Sequence, residues 1–237
     1  MPDPSIAPIA EFDQYAGAYQ ELLRDPMRDL FAPAGGGFFV RRKLDVILRF
    51  FARRRQKTAD LSWLDMGCGQ GDLLRLGRPH FGRAAGCDLS DGMLQACDGI
   101  EVRKQQSPTR LPFANGSFDF VTAVCVYHHV AKEDRVPLTR EAHRVLKPGG
   151  IYCVIEHNPF NPVTRLIVSR TPVDADAQLL SAGAVKALMR QSTIAPVDTR
   201  YFLLFPERLH RPLRSVEAAA AKLPFGGQYA VFGDSRF

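Results

Sequence analysis

The sequence predicts an α/β fold with a doubly wound, mostly parallel sheet, and three observations support this prediction. Short apolar runs alternate along the chain with segments of helical periodicity, as in successive β-α units. The apolar run 61–66 ends in a glycine-rich turn that leads directly into a helix, which is typical of a ligand-binding strand end. The run 118–126 is almost wholly apolar, which indicates a strand covered on both faces of the sheet.

Length and cysteine usage predict one domain in a reducing compartment. A chain of 237 residues fits a single domain. Its five cysteines form no Cys-x-x-Cys pair, so we interpret them as small core side chains of a cytoplasmic protein. Cys125-x-x-His128-His129 lacks a second ligand pair at zinc spacing, so no metal is predicted. We expect neither a signal peptide nor a membrane span, since no apolar run approaches roughly 18 residues.

The net charge of +6 is concentrated in two stretches, 41–57 and 200–214. Such basic clusters are usually solvated helix faces. They could instead attract an anionic acceptor or allow peripheral contact with a membrane surface. The sequence leaves both interpretations open.

The chain begins with a proline-rich stretch, 1–10, which predicts a loose arm. An amphipathic helix is predicted over 11–23, where five apolar or aromatic residues recur at helical spacing: Phe12, Tyr15, Tyr19, Leu22 and Leu23. After a break at 35–37, a second helix is predicted over 39–55. Its apolar stripe, which includes Ile47 and Phe51, would leave the basic residues pointing outward.

The turn after the first strand carries glycines at every second position: Gly67, Gly69 and Gly71. Glycine is needed where the backbone takes a positive φ or a ligand approaches closely. The dinucleotide fingerprint is Gly-x-Gly-x-x-Gly, and the spacing here is one residue tighter. Asp65 precedes the turn, and a buried carboxylate there would repel a pyrophosphate but suit a ligand with an ammonium group.

A second acidic residue, Asp88, lies at the end of the next apolar strand, which is predicted within the run 84–90. In nucleotide-binding α/β folds, an acid near this distance from the glycine loop accepts hydrogen bonds from ribose hydroxyls. Ser90 is the better N-cap for the helix predicted over 90–96, which leaves Asp88 free for a ligand. The glycine spacing, Asp65 and the run "D-x-S-x-x-M-L" from Asp88 resemble class I S-adenosylmethionine-dependent methyltransferases, in their type 11, ubiquinone-biosynthesis-like branch.

That resemblance implies a seven-stranded sheet with a helical N-terminal lid, S-adenosylmethionine as cofactor and S-adenosylhomocysteine as product. The lid would comprise 1–57 and the catalytic core 58–237. The "F-x-x-Y-A-x-x-Y" segment resembles the family's lid, where Tyr15 and Tyr19 either face the sulfonium or pack on the sheet. The residues implied to contact the cofactor are Asp65, Gly67, Cys68, Gly69, Gly71, Asp88, Leu89, Met93, Ser107, Pro108, Thr109, Val124, Cys125 and Tyr15.

The adenine-binding loop departs from the family pattern. A weak third strand is predicted over 100–105, and 111–121 resembles the family's "LPF-x-x-x-S-F-D-x-V" run. Many relatives have an aspartate four residues before that leucine, followed by a backbone N–H that meets the adenine ring. Here the two positions are Ser107 and Pro108, and proline has no N–H to donate. Adenine recognition is therefore rebuilt, for instance through Thr109, or weakened.

Strands four and five are predicted to end in polar residues near the reaction. Strand four, 118–126, is followed by Tyr127-His128-His129, and strand five, 151–155, by Glu156-His157. A helix over 133–146 and the turn Lys147-Pro148-Gly149-Gly150, which resembles the family's "R-V-L-K-P-G-G", connect the two strands. Asn158-Pro159-Phe160 is similar to part of an "N-P-P-Y" motif, but it follows the wrong strand and is interpreted as a turn.

The remainder of the chain predicts two further helices and two strands. The helices cover 177–190 and 208–222, and the strands cover 198–206 and 228–233. A late strand pair joined by a helix is similar to the antiparallel hairpin that closes the methyltransferase sheet.

The resemblance implies methyl transfer to a small-molecule acceptor, and we expect a hydroxyl oxygen as the site of transfer. Candidates for the general base and other catalytic roles are His128, His157, Glu156 and Tyr19, with His129 expected to face away from His128. One alternative is C-methylation of a quinone-like or lipid-linked acceptor, which would suit the apolar segment 163–168. Others are a non-catalytic cofactor-binding regulator and, more remotely, a nicotinamide-dependent oxidoreductase. No nucleic-acid partner is expected, since no RNA-binding module is recognised.

Overall fold

The molecule, described here by a computed structural model for residues 12–33 and 35–235, is built on one seven-stranded sheet. The predicted arm, 1–10, lies outside the described residues. The strands are β1 (Ser62–Met66), β2 (Arg83–Asp88), β3 (Glu101–Lys104), β4 (Phe118–Val124), β5 (Leu146–His157), β6 (Ala195–Phe202) and β7 (Gln228–Asp234).

The strand order is β3-β2-β1-β4-β5-β7-β6. The first five strands pair in parallel, and β7 runs antiparallel between β5 and β6. The order reverses at β1, so the crevice beyond the carboxyl ends of β1 and β4 is where this class of sheet binds ligands. The predicted doubly wound sheet with a late antiparallel hairpin is confirmed.

The helices lie before and between the strands. They are α1 (Tyr19–Leu22), α2 (Pro26–Phe31), α3 (Gly37–Arg53), α4 (Asp72–Gly77), α5 (Asp91–Gln95), α6 (Lys132–Val145), α7 (Pro162–Val168), α8 (Ala182–Gln191) and α9 (Glu207–Ala220). Short 3-10 turns cover Thr58–Asp60, Arg78–His80 and Pro172–Asp174. No helix in the described ranges is long and apolar enough to cross a membrane.

Two apolar clusters cover the two faces of the sheet. The first joins α6 and α8 to residues such as Leu64 and Val121, and the second joins α3 and α4 to residues such as Trp63 and Phe120. The stacked rings of Phe50 and Phe232, 3.9 Å apart, lie in the second cluster. Burial of both faces explains why the central strands read as nearly continuous apolar runs.

Several predicted boundaries are wrong for local reasons. The helix predicted over 11–23 is interrupted, with a helical turn at 12–15 followed by α1. Strand β4 ends two residues early because Cys125 takes a φ of +58°, which takes the chain out of the strand. The helix predicted from 177 begins at Ala182, where the Ser181 side chain accepts the Ala184 N–H as an N-cap.

Other differences concern elements after α6. Strand β5 begins at Leu146 rather than at Ile151, because Leu146 already pairs with Phe118 before the register shifts and Ile151 pairs with Phe120. The segment 163–168 forms most of α7, a helix that the sequence did not predict; its Asn161 N-cap accepts the Thr164 N–H. The strand predicted from 198 begins at Ala195.

Candidate active site

A cavity of about 940 Å³ opens at the carboxyl ends of β1, β2 and β4. Residues from the N-terminal segment and from the start of α3 form its other wall, among them Phe12, Tyr19, Arg28 and Lys43. Ligand pockets usually measure about 300–1,000 Å³, so this cavity has room for a cofactor and an acceptor together.

The glycine loop shapes the cofactor end of the cavity. Gly67, Gly69 and Gly71 all have positive φ, at 69°, 52° and 76°. A Cβ on Gly67 would lie 2.6 Å from the Cγ2 of Val126, whereas a Cβ on Gly69 would meet no atom within 4 Å. Gly69 therefore faces open space in the cavity, where a ligand can approach the backbone.

Asp88 is held at the tip of β2 by two backbone donors. Its Oδ2 accepts the Gly69 N–H at 2.8 Å and its Oδ1 accepts the Ser90 N–H at 2.9 Å. Ser90 caps α5 by accepting the Met93 N–H, as predicted. Each carboxylate oxygen keeps a second lone pair, and Asp88 lines the cavity, so it can accept hydrogen bonds from a diol.

Asp65 lies beneath the loop and is 3% exposed. The Thr122 hydroxyl donates to its Oδ1 at 2.6 Å. Burial raises the pKa of Asp65 to about 7, although the Thr122 hydrogen bond and the ammonium group of Lys43 oppose that shift. A ligand that brings its own ammonium group would favour the charged carboxylate, so the residue fits the amino-acid end of S-adenosylmethionine.

The adenine side is organised by Gln105, a residue that sequence reasoning missed. Gln105 is 4% exposed and lines the cavity. Its Nε2 donates to the carbonyls of Ser107 and Pro108, at 2.7 and 3.2 Å. Of the three predicted adenine-loop residues, Pro108 lines the cavity, while Ser107 and Thr109 turn towards each other outside it. The only sequence signal was a polar residue directly after β3.

The N-terminal segment rests on the cofactor loop. Asp13 accepts hydrogen bonds from the Ser90 hydroxyl and from the Gly92 N–H, the latter at 3.0 Å. The side chain of Gln70, inside the glycine loop, donates to the carbonyl of Ala16 at 3.0 Å. Tyr19 lines the cavity, and burial raises its pKa above the usual range. These contacts place the segment as a cover over the loop.

The structure brings most of the predicted cofactor residues to the cavity wall. Those that line it are Asp65, Gly67, Cys68, Gly69, Asp88, Leu89, Met93, Pro108, Val124 and Cys125. Those outside the lining are Gly71, which begins α4, and Ser107, Thr109 and Tyr15. The ring of Tyr15 instead lies 6.2 Å from that of Phe12.

His128 and Glu156 form a buried pair behind the wall rather than part of it. His128 is 2% exposed, and its Nδ1 lies 2.5 Å from Glu156 Oε2. Glu156 also accepts the N–H groups of Val126 and Tyr127. Burial opposes both charges, but each partner stabilises the other, so the pKa of His128 lies well above and that of Glu156 below its usual value. Neither lines the cavity, so the structure does not place them beside an acceptor, and their role as general bases stays a prediction.

His129 is the histidine that faces the cavity, contrary to the expectation that it turns away from His128. The two rings are 4.1 Å apart, and each Nε2 lies 3.4 Å from Oδ1 of Asp174. Burial and the neighbouring His128 lower the pKa of His129, while Asp174 raises it; the net direction is down. His129 is therefore neutral at neutral pH. His157 lies outside the lining, with its ring 5.3 Å from that of His128.

The His128, His129 and Asp174 ligand atoms lie within 4.8 Å of one another and could hold a metal ion. The sequence missed this cluster because Asp174 comes from a 3-10 turn far along the chain. The absence of a bound metal stays a prediction.

The prediction that the basic residues of 39–55 point outward is wrong for two of them. Arg42 is buried and pairs with Glu217 of α9. Lys43 lines the cavity, with its Nζ 3.4 Å from the Sγ of Cys125. Burial opposes ionisation of Cys125, but Lys43 and His157 lower its pKa to about 7. The predicted apolar acceptor segment, 163–168, lies outside this cavity's lining.

Residues 64–154 match the family model described as a methyltransferase domain. The demethylmenaquinone methyltransferase of Lactobacillus johnsonii is 33% identical over 131 residues, covering 50% of this chain and 52% of that protein. The tRNA (carboxymethyluridine(34)-5-O)-methyltransferase of Arabidopsis thaliana is 32% identical over 115 residues, covering 47% of this chain and 28% of that protein. The chain thus spans about half, or less, of the length of these curated relatives.

Two solved structures resemble nearly the whole chain. A possible histamine N-methyltransferase of Thermotoga maritima has a TM-score of 0.68 at 17% identity, covering 95% of this chain and 99% of that one. A geranyl diphosphate C-methyltransferase of Streptomyces coelicolor, in complex with Mg²⁺, geranyl diphosphate and S-adenosyl-L-homocysteine, has a TM-score of 0.65 at 17% identity, covering 98% and 100%. At these identities the likeness shows the fold.

Fold, glycine loop and family match together define an S-adenosylmethionine-dependent methyltransferase domain. The family match over 64–154, the curated relatives and the fold together support the predicted resemblance to class I S-adenosylmethionine-dependent methyltransferases. The cofactor of this family is S-adenosylmethionine, and the open space at Gly69, the cavity-facing Asp88 and the buried Asp65 fit it.

Proposed function

We propose that the protein methylates a hydroxyl oxygen of a small-molecule acceptor, with His129 as the general base. The observation that carries this proposal is the pairing of two features in one cavity. The glycine loop with Asp88 lies at one end, and a neutral imidazole backed by a carboxylate lies at the other.

Each residue of this site has a separate task. S-adenosylmethionine, when bound, supplies an electrophilic methyl group. Asp88 would hold the ribose and Asp65 the ammonium group. His129 would donate its Nε2–H to Asp174, which leaves Nδ1 to accept the acceptor's hydroxyl proton. A positioned base of this kind accelerates transfer about 10²–10⁴-fold, in addition to the contribution of alignment.

A second candidate is C-methylation of a quinone-like or lipid-linked acceptor. It is favoured by the likeness to demethylmenaquinone methyltransferases and by an apolar group in the cavity wall: Phe12, Leu23, Phe39, Val40, Val130 and Leu138. Product analysis separates the two, because an O-methyl ether and a C-methyl group differ in hydrolytic stability and in NMR shift. The absence of a nucleic-acid acceptor remains a prediction, as does a cytoplasmic location.

We also infer that 1–57 act as a lid on a core of 58–237 within one domain. The contacts of Asp13, Gln70 and Tyr19 described above support this division, since they join the first helical turns to the cofactor loop.

The test is methyl transfer from labelled S-adenosylmethionine to hydroxybenzoates, hydroquinones and sugar nucleotides, preceded by calorimetry with S-adenosylhomocysteine and with NADH as a control. His129→Gln should lower kcat at least 100-fold while the affinity for S-adenosylhomocysteine changes less than two-fold. His80→Gln, an exposed histidine remote from the cavity, is the matched control. Cofactor binding without transfer to any acceptor would favour a non-catalytic regulator. Full activity of His129→Gln would exclude the base.

A further inference from the structure

Arg28 is a cation inside the cavity without an acidic partner. It lies in α2 and lines the wall, half-buried. Its Nη1 donates to the carbonyl of Leu23 at 2.6 Å, and its guanidinium lies over the ring of Phe39, 5.1 Å from the centroid. Within 12–33 and 35–235, no carboxylate oxygen lies within 4 Å of its nitrogens.

This arrangement is unfavourable for the protein alone. Burial lowers the pKa of Arg28, which means that the charge is only partly solvated. Partly buried charges are normally paired, and a guanidinium has five donor N–H groups, of which one is used here. The remaining donors are available to an anion that enters the cavity.

The place of Arg28 in the cavity indicates which ligand it serves. Its helix α2 packs against α7, and the preceding helix α1 packs against the 3-10 turn that carries Asp174, so Arg28 lies on the side of the His129–Asp174 pair. Lys43, the other cation without an acidic partner among the described lining residues, acts on Asp65 at the cofactor end. The amino-acid end of the cofactor thus has its own cation, and Arg28 is left for the acceptor.

We infer that Arg28 binds an oxyanion of the acceptor, a carboxylate or a phosphate, while His129 meets the acceptor's hydroxyl. This inference rests on the proposed function and narrows its substrate class. The planar guanidinium fork matches both oxyanions in bidentate geometry. The ring of Phe39 packs against one face of the Arg28 guanidinium. Val40 and Leu23, which also line the cavity, provide an apolar surface for the rest of the acceptor.

Arg28 also contacts the carbonyl of Leu23, so its replacement could act through the lid alone. Three variants separate these effects. Arg28→Gln removes the charge, Arg28→Lys keeps the charge without the fork, and Arg24→Gln alters an exposed arginine of the same segment that does not line the cavity. The affinity for S-adenosylhomocysteine reports whether each variant keeps a formed cofactor site.

The experiment titrates the protein, saturated with S-adenosylhomocysteine, with benzoate, phenyl phosphate and neutral benzamide. We expect benzoate or phenyl phosphate to bind at least ten-fold more tightly than benzamide, and the tighter anion identifies the group that Arg28 takes. Arg28→Gln should lower the affinity for that anion at least ten-fold, and Arg28→Lys should lower it less. Arg24→Gln should bind the anion as tightly as the wild type does. The affinity for S-adenosylhomocysteine should stay within two-fold in all three.

Two results would overturn the inference. In the first, the wild type binds the anion and benzamide equally tightly. In the second, Arg28→Gln loses its affinity for S-adenosylhomocysteine but keeps its affinity for the anion. The second would assign Arg28 to the cofactor. Failure of the proposed function looks different, since the wild type would then bind no S-adenosylhomocysteine or transfer no methyl group.

Discussion

The two ends of the cavity are built in different ways. Most of the cofactor end comes from one continuous stretch, 65–93, in which backbone N–H groups, glycines and two carboxylates form the site; Gln105 and Pro108 complete its adenine side. The acceptor end is assembled from side chains of separate segments, with Arg28 and His129 in the cavity wall and Asp174 behind His129. A site made of backbone needs a fixed local spacing and leaves a motif, whereas a site made of side chains from distant segments does not.

The two ends also differ in their electrostatics. At the cofactor end, Asp65 is buried and Asp88 half-buried, and the loss of solvent raises the pKa of both carboxyl groups. At the acceptor end, Asp174 and Glu156 are paired with imidazoles, which hold their pKa values below the usual range although burial opposes this. A cationic ligand would therefore stabilise the charged carboxylates of the cofactor end, whereas the carboxylates of the acceptor end are already paired with imidazoles.

The largest expected effect concerns the buried pair behind the acceptor end. His128→Gln leaves Glu156 and Asp174 without a counter-charge, which should lower the free energy of unfolding by about 3–5 kcal/mol. Because the pKa of folded His128 is raised, its contribution is complete below pH 6.5, the ordinary value for histidine, and is lost as pH rises through the folded pKa.

Thermal melting of the wild type and of His128→Gln at pH 6 and at pH 10 measures that effect. The difference in Tm should be larger at pH 6, with His80→Gln close to the wild type at both values. An equal difference at the two pH values would mean that His128 is neutral in the folded protein.

The next effect belongs to the cofactor end. Asp88→Ala should lower the affinity for S-adenosylmethionine about 100-fold, since hydrogen bonds to a charged group contribute about 1.5–3 kcal/mol each. The control is Asp91→Ala, which alters an exposed acid three residues beyond β2 that pairs with Lys104 and should bind the cofactor normally. Calorimetry measures both affinities. An unchanged affinity in Asp88→Ala would exclude Asp88 as the residue that binds the ribose.

A smaller effect on affinity distinguishes a close approach of the ligand to Gly69 from backbone strain at that position. Gly69→Ala and Gly116→Ala both place a side chain at a positive φ with no neighbour within 4 Å, so each should lose roughly 1–2 kcal/mol of stability. Of the two glycines, only Gly69 faces the cavity, so only Gly69→Ala should lower the affinity for S-adenosylhomocysteine, by about ten-fold. Equal affinities in the two variants would show that the ligand does not approach the loop at Gly69.

The smallest effect is expected from chelation. If Asp174 holds His129 as a base, EDTA treatment followed by desalting should change kcat less than two-fold. Loss of activity that one divalent ion restores would instead make His128, His129 and Asp174 a metal site. Metal analysis of the purified protein provides the independent readout.

The sequence was sufficient for the doubly wound, mostly parallel sheet and for the glycine loop, because alternating apolar runs and the spacing of Asp65, the glycines and Asp88 are local signals. It failed where the deciding contact is long-range. Glu156 and His128 are polar residues at strand ends, as expected for catalytic groups, yet their mutual pairing withdraws them from the cavity. Asp174, which directs His129, carries no local signal at all. Similarly, only the fold reveals that Gln105 organises the loop in which Ser107 and Pro108 replace the family's residues.

The pH dependence of kcat/KM tests the His129–Asp174 pair most directly. We expect activity to fall on the acid side with a pKa below 6.5, since His129 must be neutral and its pKa is lowered. Because Asp174 raises that pKa, Asp174→Asn should move the acid limb to lower pH and reduce the plateau. An acid limb at the same pH in the wild type and in Asp174→Asn would mean that Asp174 does not act on the catalytic base.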